Sequence, residues 1–350
     1  MTDRVKIGVV VIGRNEGERL KRCLTSILAQ HQGSVVYVDS GSSDGSVEYA
    51  QSVGVAVVDL DMTKPFTMAR GRNAGFNYLV EHYPDCEFVQ FVDGDCEVAA
   101  GWIDRGMRFL KANDRYALVC GNVSERHPEA SIYNGLINME LQGVAGDTEA
   151  CGGIAMYRID IFANVGLFNE VMIAGEEGDL CLRLRRDGFK VMKLDVPMAN
   201  HDADMQRFVQ WWCRSVRCGH AYAHGFDLHR QSPEQHEERY KKRQVLSSMA
   251  YGFCFPVLLL LLVSLLLTQS LSQLPIIFIL TAILFVLSLY IRLIEKCVKS
   301  RLLLGNSQSQ AWLYAAFIVL GKLPEAQGVS KYYFNKMRGV TAKIIEYRAN

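Results

Sequence analysis

Two stretches in the last third of the chain restrict its architecture more than any other feature. Tyr251–Thr268 and Leu274–Ile291 each run for about 18 residues without a charge, and Val257–Leu267 is leucine and valine throughout apart from Ser264. Segments so apolar must satisfy their backbone hydrogen bonds internally, which a helix does within a single segment. At a rise of ~1.5 Å per residue each reaches roughly 27 Å, close to the ~30 Å hydrocarbon layer of a bilayer. The connector Gln269–Gln273 is short and uncharged, as a tight hairpin requires. Arg239-Tyr-Lys-Lys-Arg243 precedes the pair, and Arg292, Lys296, Lys299 and Arg301 follow it. Cations on both outer flanks and none between predict a hairpin with both flanks in the cytoplasm. A third apolar patch, Ala311–Leu323, is too short to span comfortably. Spanning would also carry Lys331, Lys336, Arg338 and Lys343 across, so the patch is expected to lie in the interface or to re-enter.

The mean hydropathy of +0.06 hides this segregation, because the first two-thirds of the 350 residues read as a soluble domain. Val5–Ile12 is a near-continuous apolar run, as expected of a parallel strand buried on both faces. Being so brief, it reads as a strand and not as a signal-peptide core. Glu16–Gln30 sets Leu20, Cys23, Leu24, Ile27 and Leu28 at helical spacing. Val35–Val38, Val55–Val58 and Phe88–Val92 read as further buried strands, with Val47–Val53 a short helix between the first two. Strands alternating with helices imply right-handed crossovers and a mostly parallel sheet. Such sheets bind ligands beyond the carboxyl ends of their strands, where Asp39, Asp93 and Asp95 all fall.

A net charge of +1 gives no global field for nucleic acid, and the cations are not interleaved with aromatics as a single-strand groove requires. The 10 cysteines are scattered singletons without a C-x-x-C. Cys23, Cys120 and Cys181 sit in apolar patterns and read as small hydrophobes in a reducing compartment.

Asp93-Gly94-Asp95 follows a buried strand, so its two carboxylates can face one cleft and share a hard divalent cation, Mg²⁺ or Mn²⁺, which also takes a diphosphate. Asp39 stands at a strand tip, where a carboxylate can accept from a base N–H or a ribose hydroxyl, while Ser43 or Asp44 caps the next helix. His201 follows the strand Val191–Val196 and reads equally as a third metal ligand, a phosphate contact or a structural histidine. Trp211 and Trp212 read either as acceptor lining or as packing against the membrane helices. His220, His224 and His229 read as solvated helix residues. Gly8, Gly13 and Gly17 do not make the G-x-G-x-x-G of a dinucleotide-binding dehydrogenase. Arg14-Asn15-Glu16 does not make the glycine-rich loop of a nucleotidyltransferase.

Six blocks, in order and spacing, carry a resemblance: Val9-Val-Val-Ile-Gly-Arg-Asn-Glu16, Val38-Asp-Ser-Gly-Ser-Ser-Asp-Gly45, Arg70-Gly-Arg-Asn-Ala-Gly75, Phe91-Val-Asp-Gly-Asp95, Gly152-Gly-Ile-Ala-Met-Tyr-Arg158 with Val165-Gly-Leu-Phe-Asn169, and Gly175-Glu-Glu-Gly-Asp179 with the residues up to Gly188. Over roughly residues 5 to 225 the chain resembles the family 2 glycosyltransferases of GT-A fold. The resemblance implies an α/β domain with a mostly parallel sheet flanked by helices over residues 1–235. Two transmembrane helices at 245–295 and a basic cytosolic or interfacial tail at 296–350 complete the expected organisation.

By the same resemblance Glu16 and Asp39 hold the nucleoside, and Arg70 or Arg72, with Asn73, Asp93 and Gly94, lies against the nucleotide-sugar. Asp93 and Asp95 bind the metal, and Gly152 and Gly153 belong to the acceptor side. Many members read Glu-Asp where this chain has Glu176-Glu177. Glu177 then takes the place of the base, with the choice between the two glutamates left open, and Asp179 caps the following helix. A single base and no carboxylate nucleophile imply single displacement with inversion.

The expected protein is an inverting glycosyltransferase that uses a nucleotide-sugar and a divalent metal. Its acceptor is a hydroxyl of a lipid-linked or membrane-proximal glycan in surface polysaccharide biosynthesis. It is expected to be a multi-pass protein of the inner or plasma membrane, in contact with membrane lipid, with its catalytic domain in the cytosol. Two spans are too few for a polysaccharide channel, which favours addition of single sugars. Transfer to a polyprenyl phosphate, which needs no base, is the alternative within the same chemistry. A non-catalytic nucleotide-sugar-binding membrane subunit is the alternative of another class.

Overall fold

The computed structural model describes residues 6–31, 33–231, 239–267 and 273–346. They fall into two compact units, 1–206 and 207–350. The first unit is built on one sheet. Its opening half is β1 (Lys6–Gly13), β2 (Ser34–Asp39), β3 (Ala56–Asp59) and β4 (Cys86–Asp93), connected by helices α1 (Glu18–Leu28), α2 (Ser46–Ser52) and α3 (Met68–His82). The remainder comprises β5 (Cys96–Val98), α4 (Trp102–Ala112), β6 (Tyr116–Glu125), α5 (Ile132–Leu141), β7 (Gly146–Asp147), β8 (Ala155–Arg158), α6 (Ile159–Val165), α7 (Glu176–Arg186) and β9 (Lys190–His201).

The strand order is β3-β2-β1-β4-β8-β6-β9-β5, with β7 added on β9. The expected parallel character holds for β3-β2-β1-β4. Beyond β4 the sheet is mixed: β8 runs antiparallel to both β4 and β6, and β6 and β9 are parallel to each other. The apolar runs read as strands are buried on both faces. Val9, Val10, Val11, Val36 and Val38 have no exposed surface, because helices cover the sheet above and below.

Register places the polar strand ends together. Gly13 pairs with Asp39 across β1 and β2, and Ile12 pairs with Asp93 across β1 and β4. Both aspartates therefore end their strands beside the end of β1. Helix α3 lies very close to these strands, since a methyl group built on Gly75 would overlap Val10 and press on Val38. That closeness seats Arg72, one turn earlier, in the interior.

Two local readings change. The strand expected at Val191–Val196 extends through His201, because β9 continues along β6 and then pairs with β5, setting Cys96 opposite His201. Asp179 does not cap α7, which begins at Glu176 after Gly175 in the left-handed region (φ 85°). Instead it lies buried in the first turn and pairs with Arg183, whose guanidinium also donates to the carbonyls of Val165 and Leu167.

The second unit is helical. It contains α8 (Phe208–His229), α9 (Lys242–Met249), a π-turn at Ala250–Cys254, α10 (Phe255–Leu267), α11 (Gln273–Leu303) and α12 (Gln308–Met337). Helix α8 thus belongs with the C-terminal helices and not with the sheet. Lys242–Leu267 and Ile276–Leu303 are long and apolar enough to cross a membrane, and only 6% of each apolar window is buried. Most of the expected connector between them lies outside the described residues. Ala311–Leu323 forms the first part of α12, which continues past Pro324, so the expected tail is helical as far as Met337.

Small residues hold these helices together. A methyl on Gly252 would overlap the Lys322 carbonyl, one on Gly219 the Glu325 carbonyl, and one on Gly328 the Val216 carbonyl. Replacing Gly328 by alanine is expected to cost about 1–3 kcal/mol, because rigid backbone would have to move. Thermal unfolding in detergent reads this directly, and an unchanged midpoint would contradict the packing. Trp211 packs edge-on against Phe317 with ring centroids 5.1 Å apart, and Trp212 Nε1 donates to Gln327 at 2.9 Å. His220 and His229, expected in solvent, are buried. Burial and the neighbouring His224 and Lys331 bring His220 down to about 4.

Candidate active site

At the ends of β1 and β2 the chain builds a cradle of backbone amides. Asp39 is buried and accepts from the amides of Gly41 and Ser42 at 2.8 and 2.7 Å, and from the Tyr37 hydroxyl at 2.8 Å. Asn15, in the left-handed region that asparagine tolerates (φ 53°), stitches the facing loop to it. Its amide donates to Ser42 Oγ and its side-chain oxygen accepts from Ser43. A groove of about 490 Å³ opens here, lined by Asp39, Ser42, Ser43, Glu48, Asp59 and Met62 among others. Glu16 stands next to this loop, paired with Arg19 at 2.8 Å. Gly94 joins β4 to β1 by donating to the Ile12 carbonyl at 2.8 Å, and an added methyl would press on that oxygen at 3.1 Å.

Arg72 is the charged centre. It is 1% exposed and divides its guanidinium among three carboxylates: Nη2 to Asp93 at 2.8 Å, Nη1 to Glu176 at 2.7 Å and Nη1 to Glu177 at 3.4 Å. Its plane also lies 5.5 Å from the Phe168 ring centroid. Burial alone would lower its pKa, but the charges of Asp93, Glu177 and Glu176 raise it above the ordinary value. Gly153 is required in the same place, because a methyl there would overlap the guanidinium and approach Asp93 at 3.1 Å. Gly152 has open space instead.

The two glutamates left open by the sequence have different surroundings. Glu176 is fully buried against Arg72, whereas the Glu177 side chain keeps 18% of its surface exposed. Both occupy the first turn of α7, where free amides and the helix dipole favour a carboxylate. Glu177 is therefore the more accessible of the two.

The two carboxylates of Asp93-Gly94-Asp95 face different neighbours. Asp93 turns to Arg72, while Asp95 Oδ2 lies 3.6 Å from His201 Nε2. Asp95, Cys96 and His201 place ligand atoms within 4.8 Å of one another. The other ring nitrogen of His201, Nδ1, lies 2.9 Å from Glu125 Oε2. Cys96 is buried and donates its thiol to Asp95 Oδ1. The available donors are thus a carboxylate oxygen and an imidazole nitrogen, a set that suits Mn²⁺ and, less completely, Mg²⁺.

Two residues assigned to the donor make hydrogen bonds within the protein. Arg70 donates to the carbonyls of Asp61, Lys64 and Pro65 and so shapes its own loop. Asn73 is buried, with Nδ2 bonded to Phe168 O and Glu170 Oε1 and Oδ1 accepting from the Phe168 amide. It latches α3 to the segment that leads into α7. Trp211 and Trp212 lie in the helical unit, engaged as described above. Sequence reasoning missed Glu125 and Asn15. Asn15 stood inside a matched block, whereas Glu125 gave no local signal, because its partner is 76 residues away.

Residues 8–166 match the family described as Glycosyl transferase family 2. This stretch is thus similar to a family 2 glycosyltransferase domain. Among curated proteins, the glycosyltransferase AglE of Haloferax volcanii is 26% identical over 178 residues, covering 48% of this chain and 58% of that protein. The chain thus matches little more than half the length of this relative. Among solved structures, the mannosyltransferase PcManGT of Pyrobaculum calidifontis, in complex with GDP-Man and Mn²⁺, superposes with a TM-score of 0.60 at 16% identity, over 96% of this chain and 89% of its own. S. aureus TarS gives 0.52 at 11% identity, over 94% and 55%. At such identities the superpositions establish the GT-A fold of the domain.

Proposed function

We propose that this chain is an inverting glycosyltransferase that moves a sugar from a nucleotide-sugar to a hydroxyl of a membrane-associated, lipid-linked glycan in surface polysaccharide assembly. The observation that carries the reading is Glu177: a partly exposed carboxylate at a helix N-terminus, joined through Arg72 to the end of β4. The fold shared with a structure holding GDP-Man and Mn²⁺ supports a nucleotide-sugar donor and a divalent metal.

In this reading the nucleoside lies in the groove beside Asp39, and Asp95 and His201, with Asp93, would hold the metal. A bound Mg²⁺ or Mn²⁺ supplies charge stabilisation for the departing diphosphate. As the acceptor oxygen closes on the anomeric carbon, its proton passes to Glu177, and attack from the face opposite the leaving group inverts the centre. Arg72 keeps Glu176 and Asp93 fixed on either side of that path. Gly152 and Gly153 belong to the acceptor side, where Gly152 leaves open space. The two apolar helices, with cations on both outer flanks, tether the domain to the cytosolic face of the membrane, and α12 lies along its surface.

The test is release of nucleoside diphosphate from a panel of UDP- and GDP-sugars, with Mn²⁺ or EDTA, in the presence of membrane extract. Metal-dependent release from one donor, lost in Glu177→Gln, is the expected result. Release that survives Glu177→Gln with a polyprenyl phosphate as acceptor would replace the hydroxyl acceptor by a phosphate. Absence of release from every donor would leave a binding subunit.

A further inference from the structure

We infer that Glu125 is a positioning residue for the metal site: it fixes the ring of His201 so that Nε2, and not Nδ1, faces Asp95. This inference rests on the metal reading above and adds a residue to it. Glu125 ends β6, His201 ends β9, and the two are partners in the parallel ladder. Their side chains therefore start side by side on adjacent strands.

The Glu125 side chain has no exposed surface. A carboxylate that deep is costly unless hydrogen bonds compensate it. Its compensation is specific: the Ala203 amide lies 3.2 Å from both oxygens, the His127 amide 3.4 Å from Oε1, and His201 Nδ1 2.9 Å from Oε2. The amides can only donate, so Glu125 presents acceptors throughout. The ring nitrogen facing it consequently carries a hydrogen, which sets Nε2 as the atom that faces Asp95 Oδ2, 3.6 Å away. Glu125 thus selects the tautomer that ligates, and its hold on the Ala203 amide also fixes the chain that follows His201. A carboxylate behind a ligating histidine typically contributes 10–100-fold in metal affinity.

The experiment has two arms. At a pH where the His201 imidazole is neutral, ¹⁵N-histidine NMR of the wild-type chain should show its hydrogen on Nδ1; the hydrogen on Nε2 would overturn the inference without any variant having to fold. In the second arm, Mn²⁺ binding is titrated by EPR, alone and with UDP or GDP, for wild type, Asp95→Asn and Glu125→Gln, each checked for its thermal midpoint. The expected result is loss of binding in Asp95→Asn and about 10–100-fold weaker binding in Glu125→Gln, with a weakened ¹⁴N hyperfine coupling. Wild-type affinity and coupling in Glu125→Gln, alongside loss in Asp95→Asn, would overturn the role of Glu125 and leave the metal reading standing. Equal, undetectable binding by all three chains would overturn both.

Discussion

Glu177→Gln is expected to lose about 10²–10⁴-fold in kcat, the usual contribution of a positioned general base, with donor KM nearly unchanged. Glutamine preserves the size of the side chain and removes only its capacity to take a proton. The fold should barely register the change. Arg72 keeps its closer bonds to Glu176 and Asp93, at 2.7 and 2.8 Å, and Glu177 is partly in solvent. A stability change within about 0.5 kcal/mol is expected, as for surface substitutions that break no key contact. The neighbouring Glu176→Gln provides the contrast, since it weakens a fully buried ion pair and should act mainly on stability. Steady-state kinetics beside thermal unfolding separate the two. If Glu176→Gln abolished turnover in a folded protein while Glu177→Gln did not, the assignment of the base would have to be exchanged.

The second large effect is expected at Arg72. In Arg72→Met the guanidinium disappears from among three carboxylates, one of which, Glu176, has no exposed surface. Removing one partner of a buried ion pair typically costs about 3–5 kcal/mol, because the remaining charge is left uncompensated. Denaturant titration in micelles should show that loss, and activity should fall with it, since Asp93 and α7 both lose their anchor. Lysine is not a substitute here. An ammonium retains the charge but lacks the planar fork that reaches Asp93 with one nitrogen and Glu176 with another. Arg72→Lys is therefore expected to fold better than Arg72→Met and still to turn over poorly. A fully active Arg72→Lys would show that charge alone suffices at this position.

Much of this architecture was legible in the sequence where neighbouring residues carry the signal. Continuous apolar runs marked β1, β2 and β4, because a strand covered on both faces has no polar side to display. The charge-free stretches after Tyr251 announced long helices for the same reason. The mixed half of the sheet was not legible, since β8 spans only Ala155–Arg158 and its direction is set by neighbours distant in the sequence. The site divided along the same line. Asp39, Asp93, Asp95 and Glu177 stand at strand and helix ends that local pattern reveals. That Arg72 and not Arg70 is the buried cation depends on how closely Gly75 lets α3 approach the sheet. That Glu125 stands behind His201 depends on the pairing of β6 with β9. Both are facts of tertiary contact, on which helical and strand periodicity are silent.

The glycine contacts of the helical unit constrain the order in which it can be made. Gly252, at the foot of the first apolar helix, rests on the backbone of Lys322, and Gly219 and Gly328 bring α8 and α12 together in the same way. The surface that receives α8 and Gly252 is thus synthesised only after both apolar helices. Those glycine faces must wait, uncovered, and they close when the last helix arrives. A chain interrupted between Leu303 and Gln308 would carry the whole sheet unit and both apolar helices, yet retain two open seams.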